Sequence, residues 1–170
     1  MELTVRQAQP ADLEDIQAMY RALVARMDRE GWKIWSDRYP RDAVGEDIAL
    51  GRYYLLQDGP AIAGGFALLS EDCGEGDVPW EEPTASARYL YRFGVAVEYG
   101  GRGVGKLSLE RIQDLARSLG AGYLRLFVAY ENAPAIGLYE KAGFRCVPGE
   151  FGEELANGTR LYEYAFEKKL

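Results

Sequence analysis

The chain has 170 residues, of which 48% are hydrophobic and 28% are charged, as in a soluble globular protein large enough to bury one core. Its net charge of −7 disfavours binding to nucleic-acid phosphates, and it holds no run of the ~20 apolar residues that a membrane helix needs. It contains no histidine, which excludes histidine-activated nucleophiles and leaves Tyr, Glu, Asp, Lys, Cys or water to move protons.

The hydrophobic pattern predicts an α/β domain with elements in the order β-α-α-β-β-β-α-β-α-β-β. Alternation or apolar runs predict strands at 2–9, 52–57, 61–70, 87–97, 122–129, 144–151 and 159–169. Helical spacing predicts helices from Pro10, around 41–50, from the glycine-rich loop up to Gly120, and at 133–142. We also expect an Asp-Gly turn after residue 57, and a common face for the odd-numbered residues of the strand 87–97.

One loop concentrates four glycines and two basic residues between a predicted strand and a predicted helix. It consists of Gly100, Gly101, Arg102, Gly103, Val104, Gly105 and Lys106. Backbone N–H groups and a helix N-terminus attract anions at such a place, so phosphate is the expected ligand. The loop is no triphosphate-binding motif, because Leu107 replaces the hydroxyl residue that holds magnesium. It also lacks the third glycine of the dinucleotide pattern. A glycine turn that serves packing alone is the alternative.

Two motifs, one at the glycine-rich loop and one further along the chain, resemble motifs of the GNAT superfamily of acetyl-CoA-dependent N-acetyltransferases. The run from Val95 to Gly105 (VAVEYGGRGVG) is similar to the strand end and pyrophosphate loop of the family. The run from Asn132 to Phe144 (NAPAIGLYEKAGF) is similar to the family pattern Asn-x-x-Ala-x-x-Leu-Tyr-x-x-x-Gly-Phe. One departure is Gly100, which stands where the family usually has Gln or Arg. The expected grip on phosphate therefore depends on backbone amides and on the two basic residues of the loop.

The resemblance implies a mixed, mostly antiparallel sheet flanked by helices, with two central strands that splay apart. Pantetheine is then expected in the gap. The implied contacts of coenzyme A are Val95, Ala96, Val97, the loop residues from Gly100 to Lys106, Asn132 and Ala135. A backbone N–H near Val95 would face the thioester carbonyl, and Gly94 would either permit a close approach or serve packing.

Tyr139 is the residue that the resemblance implies as the acid for the departing thiolate. A position three residues after Ile136 on a short helix also fits a simple core residue. The general base is not singled out by the sequence. Acidic residues next to the predicted strands are the candidates, namely Glu71, Asp72, Glu81, Glu82 and Glu98.

Aromatic residues after the first helix are candidates for the amine-binding side. Trp32, Trp35 and Tyr39 lie where members of the family build one wall of the acceptor pocket, and they could equally anchor this loop to the core. Tyr91, on the strand before the glycine loop, completes the aromatic part of the predicted substrate site.

An acidic segment at 71–82 is the second candidate region for the substrate. It carries six acidic residues around Trp80, and Glu71 and Trp80 are predicted to contact the substrate. The segment is either ordinary solvated surface or an acidic lid that attracts a cationic amine.

The sequence thus predicts a single domain over 1–170 that transfers acetyl from acetyl-CoA to a primary amine, either a small cationic amine or a peptide amine, in a ternary complex. The alternatives are a coenzyme A-binding module without turnover and a phosphate-binding protein unrelated to coenzyme A. We expect no metal, nucleic-acid or membrane partner, and a homodimer stays open. Without a signal peptide, and with Cys73 and Cys146 far apart, we expect a cytoplasmic protein with reduced thiols.

Overall fold

A seven-stranded sheet forms the centre of the computed structural model, which describes residues 2–72, 77–154, 158 and 160–170. The strands are β1 (Leu3–Gln7), β2 (Tyr53–Asp58), β3 (Ala61–Leu69), β4 (Ala87–Val95), β5 (Tyr123–Ala129), β6 (Arg145–Glu154) and β7 (Arg160–Lys169). They stand in the order β1-β2-β3-β4-β5-β7-β6, and every neighbouring pair is antiparallel except β4 and β5. Cys73 and one of the six acidic residues of the segment 71–82, Glu75, lie outside the described residues.

Four α-helices connect and cover the strands. They are α1 (Leu13–Glu30), α2 (Val44–Ala49), α3 (Val104–Ser118) and α4 (Ala133–Lys141), with short 3₁₀ turns at Pro10–Asp12, Arg41–Ala43 and Val97–Tyr99. The order of elements is the predicted one, and the mixed, mostly antiparallel α/β sheet confirms the predicted fold class. The turn between β2 and β3 is also confirmed, with Gly59 at a φ of 58°.

The helices divide the core into two layers, one on each face of the sheet. On one face, α1 and α2 bury Ile16, Tyr20 and Ile48 against the sheet. On the other face, α3 and α4 bury apolar residues such as Ile112 and Tyr139. The sheet is therefore covered on both faces, and its central strands are buried on both sides.

Helix α1 shows how local sequence sets these layers. Its apolar residues recur at helical spacing, and Ile16 and Tyr20 on that face are completely buried. The helix ends at Glu30 because Gly31 adopts a φ of 82°, a left-handed conformation that glycine adopts without steric cost. Helix α3 likewise buries Leu109 and Ile112 completely, whereas Leu119, which follows its last residue, is 40% exposed.

Candidate active site

Strands β4 and β5 separate along their length and open a gap at their carboxyl ends. Both strands are described in full, and their pairing runs only from Ala87 opposite Tyr123 to Leu90 opposite Leu126. Farther along, β4 pairs with β3 and β5 pairs with β7. Backbone groups that face the gap are therefore available to an extended ligand. This register confirms the predicted splay of two central strands.

A β-bulge at Arg92 redirects the second half of β4. Arg92 and Phe93 together stand opposite the single residue of β3 between Gly65 and Ala67. Arg92 has a φ of 55°, a left-handed conformation that costs a non-glycine residue about 1–3 kcal/mol. Such a conformation persists only where surrounding contacts hold it in place.

The extra residue of the bulge changes which side chains face which helices. Tyr89 and Tyr91 pack under α1 and α2, but Phe93 packs on the opposite face under α3 and α4. The predicted common face for the odd-numbered residues of this strand is therefore wrong. Gly94 takes the position under α1, where a Cβ would lie 2.9 Å from Leu23 Cδ1. The close packing of α1 explains the glycine.

The glycine-rich loop follows β4 and leads directly into α3. Gly101 and Gly103 have φ angles of 72° and 75°, and a Cβ on either residue would meet no atom within 4 Å. Helix α3 begins at Val104, so the amides of its first turn have no partner within the helix. Open backbone around left-handed glycines, next to the positive end of a helix, can bind an anion.

Three cationic side chains of the described residues border this loop. The Arg102 guanidinium lies 5.4 Å from the centre of the Tyr99 ring, and Lys106 lies in the first turn of α3. The third is Arg26 of α1, whose Nη1 lies 2.5 Å from the position of a Cβ on Gly100. No motif pointed to Arg26, because its proximity to the loop depends on how α1 packs.

Helix α4 lies against the first turn of α3. A Cβ on Gly105 would lie 3.1 Å from Leu138 Cδ2, so the two helices approach closely at this glycine. Asn132 is the N-cap of α4, and its Oδ1 accepts a hydrogen bond from the Ala135 N–H at 3.2 Å. This bond satisfies one of the N–H groups that the first turn of the helix leaves without a partner.

Tyr139 of α4 lies in the layer under α3 and α4. It is 7% exposed, and its ring meets that of Phe144 edge-on with 5.7 Å between the centres. Burial raises the pKa of its hydroxyl well above the ordinary tyrosine value, so the group stays a proton donor throughout the physiological range. Within the described part of the chain, no residue hydrogen-bonds this hydroxyl.

An aromatic wall covers β4 on the opposite face. The Trp35 and Tyr20 rings meet nearly at right angles with 5.5 Å between their centres, and a Cβ on Gly94 would lie 3.5 Å from the Trp35 ring. A cavity of about 260 Å³ lies beside Tyr20, between α1 and the loop that precedes α2. Its lining includes two carboxylates and two guanidinium groups, from Asp28, Asp37, Arg21 and Arg41.

Two more predicted aromatic residues meet at Arg92. The Arg92 guanidinium lies 6.0 Å from the centre of the Tyr39 ring and 5.7 Å from that of Tyr91. Tyr39 is 44% exposed, and its hydroxyl accepts a hydrogen bond from Arg92 Nη1 at 3.5 Å. Trp32 is half-buried just beyond α1, where its backbone N–H donates to the Met27 carbonyl.

Glu71 and Trp80 lie apart from these residues. Trp80 is buried, with the Arg125 guanidinium 4.7 Å from its ring and the Phe127 ring edge-on at 5.9 Å. Glu71 follows β3 and lines a cavity with Arg88 at the end of the sheet opposite the glycine-rich loop. The structure therefore places Glu71 and Trp80 in different surroundings from Trp35 and Tyr39.

Glu82 of the acidic segment is held by neighbouring side chains. Its Oε1 accepts hydrogen bonds from the Lys169 ammonium at 2.6 Å and from the Tyr123 hydroxyl at 2.9 Å, and these bonds lower the pKa of Glu82 below its ordinary value. The N–H of Glu81 donates to Glu167 Oε1 at 2.9 Å. This part of the segment is anchored to the sheet.

None of the described helices has the length and apolar character needed to cross a membrane. The described acidic residues and cysteines likewise form no group of three that could hold a metal ion.

The fold and the site define an α/β protein with a gap between two parallel strands, bordered by a glycine-rich loop that can bind an anion. The family model for GNAT acetyltransferases matches residues 16–144. The chain therefore belongs to the GNAT acetyltransferase family.

Individual relatives agree with this assignment. The uncharacterized N-acetyltransferase YdgE of Bacillus subtilis (strain 168) is 38% identical over 56 residues, so the match spans 33% of this chain and 36% of that protein. A GNAT-family acetyltransferase of Listeria monocytogenes superposes with a TM-score of 0.78 over 100% of this chain and 96% of that chain, at 22% identity. The spermidine N-acetyltransferase of Vibrio cholerae, solved with coenzyme A and spermine, gives 0.70 over 98% and 95%, at 21% identity. Both of these structures have the same fold as this chain.

Proposed function

We propose that the protein transfers the acetyl group of acetyl-CoA to a primary amine, either a small cationic amine or a peptide amine, by direct attack in a ternary complex. The observation that carries the proposal is the gap between β4 and β5 with the glycine-rich loop at its end. An extended chain with a diphosphate at one end fits this combination of open strand edges and an anion site. Family membership supports the same donor.

The residues at the gap fit acetyl-CoA. The Ala96 N–H donates to the Ala63 carbonyl of β3 at 2.9 Å, so the Val95 N–H, one residue earlier in the strand, points the other way, toward the gap. The Val95 carbonyl and the backbone of Val97, in the turn that follows β4, would pair with the pantetheine amides. The glycine-rich loop would hold the diphosphate through its backbone amides, assisted by Arg102, Lys106 and also Arg26.

Acetyl-CoA supplies the acetyl group as a thioester when it is bound. The chain must then stabilise the acyl oxygen, donate a hydrogen bond to the departing sulfur and provide a path for the proton of the amine. The Val95 N–H would stabilise the negative charge that develops on the acyl oxygen. The Tyr139 hydroxyl would donate to the departing sulfur. The amine must attack in its neutral form although its ordinary pKa is ~10.4, and without histidine its proton would leave through water to a carboxylate.

The acceptor is proposed on charge and on the position of the aromatic wall. Trp35 and Tyr20 lie over Gly94, one residue from the proposed acyl site. The adjacent cavity offers Asp28 and Asp37 as partners for an ammonium group, although Arg21 and Arg41 balance their charge. The net charge of −7 on the chain as a whole favours a cationic acceptor. The structural relative from Vibrio cholerae, a spermidine N-acetyltransferase, supports this class of amine.

The test is the release of coenzyme A from acetyl-CoA with a panel of polyamines and peptide amines. We expect amine-dependent release in the wild type and a kcat about 10²-fold lower in Tyr139→Phe, with unchanged affinity for coenzyme A. Since burial keeps the Tyr139 hydroxyl protonated, the loss should be the same at pH 7 and pH 9. Tyr54→Phe is the control, because Tyr54 packs against the same core layer from β2.

Three results would contradict the proposal, two of them its activity and the third the role of Tyr139. Binding of coenzyme A without amine-dependent release across the panel would favour a silent binding module. A thermal shift with inorganic phosphate or nucleotides but none with acetyl-CoA would favour the unrelated phosphate-binding protein. Wild-type kcat in Tyr139→Phe, with chemistry rate-limiting, would leave Tyr139 a core residue only.

A further inference from the structure

A fully buried carboxylate of α2 binds the arginine of the β4 bulge. Asp47 is 0% exposed, and its two oxygens accept hydrogen bonds from Arg92 Nε at 2.5 Å and Arg92 Nη2 at 2.8 Å. The same carboxylate accepts a hydrogen bond from Arg52 Nε at 2.7 Å. A two-pronged arginine–carboxylate contact fixes the direction of both side chains as well as their distance.

The backbone of Arg92 is held as firmly as its side chain. The Tyr20 hydroxyl donates to the Arg92 carbonyl and accepts from the Tyr53 hydroxyl at 2.8 Å. Contacts from α1 and α2 therefore meet at the one residue of β4 with a left-handed backbone. These contacts offset the cost of the conformation that the bulge needs.

The bulge decides what the rest of β4 presents to the gap. Because it inserts one residue, Gly94 faces α1 and Phe93 faces α3. In a regular strand the two residues would exchange faces, and a Phe ring would have to fit where Leu23 and Tyr20 leave no room for a Cβ, at 2.9 and 3.3 Å. The same inserted residue sets which backbone N–H groups beyond Arg92 point into the gap.

We propose that Asp47 is a positioning residue for acyl transfer: by holding Arg92 it fixes the β4 bulge and so aims the Val95 N–H at the acyl oxygen. This role rests on the proposed function, because the acyl oxygen that the Val95 N–H would meet belongs to acetyl-CoA. Asp47 itself lies in the core, where its carboxylate binds Arg92 and Arg52. Its effect reaches the acyl site only through Arg92 and the backbone of β4.

The test compares two variants of the contact with a matched control. Arg92→Lys keeps the charge but loses the two-pronged contact, and Asp47→Asn loses the charge of the acceptor. Arg52→Gln is the control, because it removes the other arginine from the same carboxylate without touching β4. Two variants on opposite sides of one contact keep the test available if one of them fails to fold.

Two readouts separate positioning from general damage. We expect kcat about tenfold lower in Arg92→Lys and Asp47→Asn, with coenzyme A affinity within twofold of wild type. The infrared carbonyl band of bound, ¹³C-labelled acetyl-CoA should move in both variants toward its position in free acetyl-CoA, because the hydrogen bond to the acyl oxygen weakens. Arg52→Gln should leave both readouts unchanged.

A folded Arg92→Lys or Asp47→Asn protein with a wild-type carbonyl band would overturn the proposal. So would an equal band shift in Arg52→Gln, because the effect would then be general loosening around the carboxylate. The band is measured without turnover, so it tests the positioning role even if no amine in the panel is acetylated. Absence of acetyl transfer by the wild type would instead contradict the proposed function.

Discussion

The two halves of β4 are held in place by different means. From Ala87 to Leu90 the strand pairs with β5, and Tyr89 and Leu90 pair with β3 as well, whereas from Tyr91 to Val95 it pairs with β3 alone. Backbone pairing is sufficient to fix the first half. In the second half, hydrogen bonds from Asp47 and Tyr20 to one residue supply the constraint that the missing strand would have given.

Each half of β4 has its own arginine ion pair. Next to the paired half, Arg125 is 1% exposed, lies 3.6 Å from Glu167, and donates to the Tyr89 hydroxyl at 3.2 Å and the Glu82 carbonyl at 2.7 Å. In the open half, Arg92 pairs with Asp47. The comparison teaches that two similar buried ion pairs have different roles. The Arg125–Glu167 pair lies in the core, and we propose that the Arg92–Asp47 pair positions the ligand site.

The largest expected effect is on the stability of the paired half. Arg125→Met removes the charge-assisted hydrogen bonds to the Tyr89 hydroxyl and the Glu82 carbonyl, together with one of the two cations beside the buried Glu167 carboxylate, and we expect a loss of about 3 kcal/mol of folding free energy. Urea unfolding measures this loss. Acetyl transfer per folded molecule should be unchanged below the melting transition, because no contact of Arg125 reaches the gap.

Arg145→Met is the matched control for this prediction. Arg145 pairs with the same carboxylate of Glu167, but its side chain is 49% exposed, so we expect a smaller loss of stability. A fall in kcat in Arg125→Met without a fall in stability would contradict the division between the two halves of β4. Such a result would connect the acidic segment next to Arg125 to catalysis.

Sequence reasoning succeeded where structure depends on near neighbours. Helical and alternating periodicities predicted the order of the elements, and the Asp-Gly pair predicted the turn at Gly59. These features depend on backbone preferences within a few residues, so a single sequence contains them. The splayed strands were predicted from the family resemblance alone.

The remaining features depend on contacts between distant segments. The bulge at Arg92 needs Asp47 from α2, so alternation along β4 predicted the wrong face for Phe93. Arg26 reaches Gly100 only because α1 packs over β4. Trp80, in the loop before β4, packs its ring against Arg125 of β5, more than 40 residues later in the chain. No local pattern in the sequence carries this information.

A smaller effect is expected at the glycine-rich loop of the open half. Gly103→Ala places a Cβ where the structure shows no atom within 4 Å, in the space assigned to the diphosphate. We expect coenzyme A to bind about tenfold more weakly, which corresponds to the loss of roughly one hydrogen bond. Calorimetric titration with coenzyme A measures this change.

Gly120→Ala controls for backbone strain in this experiment. Gly120 follows α3 with a φ of 81° and equally open surroundings, so alanine there meets a similar left-handed penalty far from the loop. Coenzyme A should bind this variant with wild-type affinity. Equal weakening in both variants would mean that general destabilisation, and not the loop, controls binding.

The smallest effect concerns an ion pair at the surface, which shows how exposure limits such contacts. Asp12 accepts hydrogen bonds from Arg6 at 2.7 and 2.8 Å and from the Gln9 N–H at 2.7 Å, and its side chain is 17% exposed against 40% for Arg6. The hydrogen bonds from Arg6 lower the pKa of Asp12 to about 2. Asp12→Asn should cost about 1 kcal/mol at pH 7, because solvent screens an exposed pair.

The pH dependence of this loss follows from the direction of the pKa shift. A carboxyl group whose folded pKa lies below its unfolded value of ~3.9 stabilises the fold fully above that value, and the contribution is lost as the pH falls through the folded pKa of about 2. The stability difference between wild type and Asp12→Asn should therefore shrink in urea titrations between pH 4 and pH 2. Asp42→Asn, which alters a 48% exposed carboxylate beside Arg38, should change stability little at any pH. A difference for Asp12→Asn that stays constant down to pH 2 would show that Asp12 acts through packing, because the charge of its carboxylate would then contribute nothing.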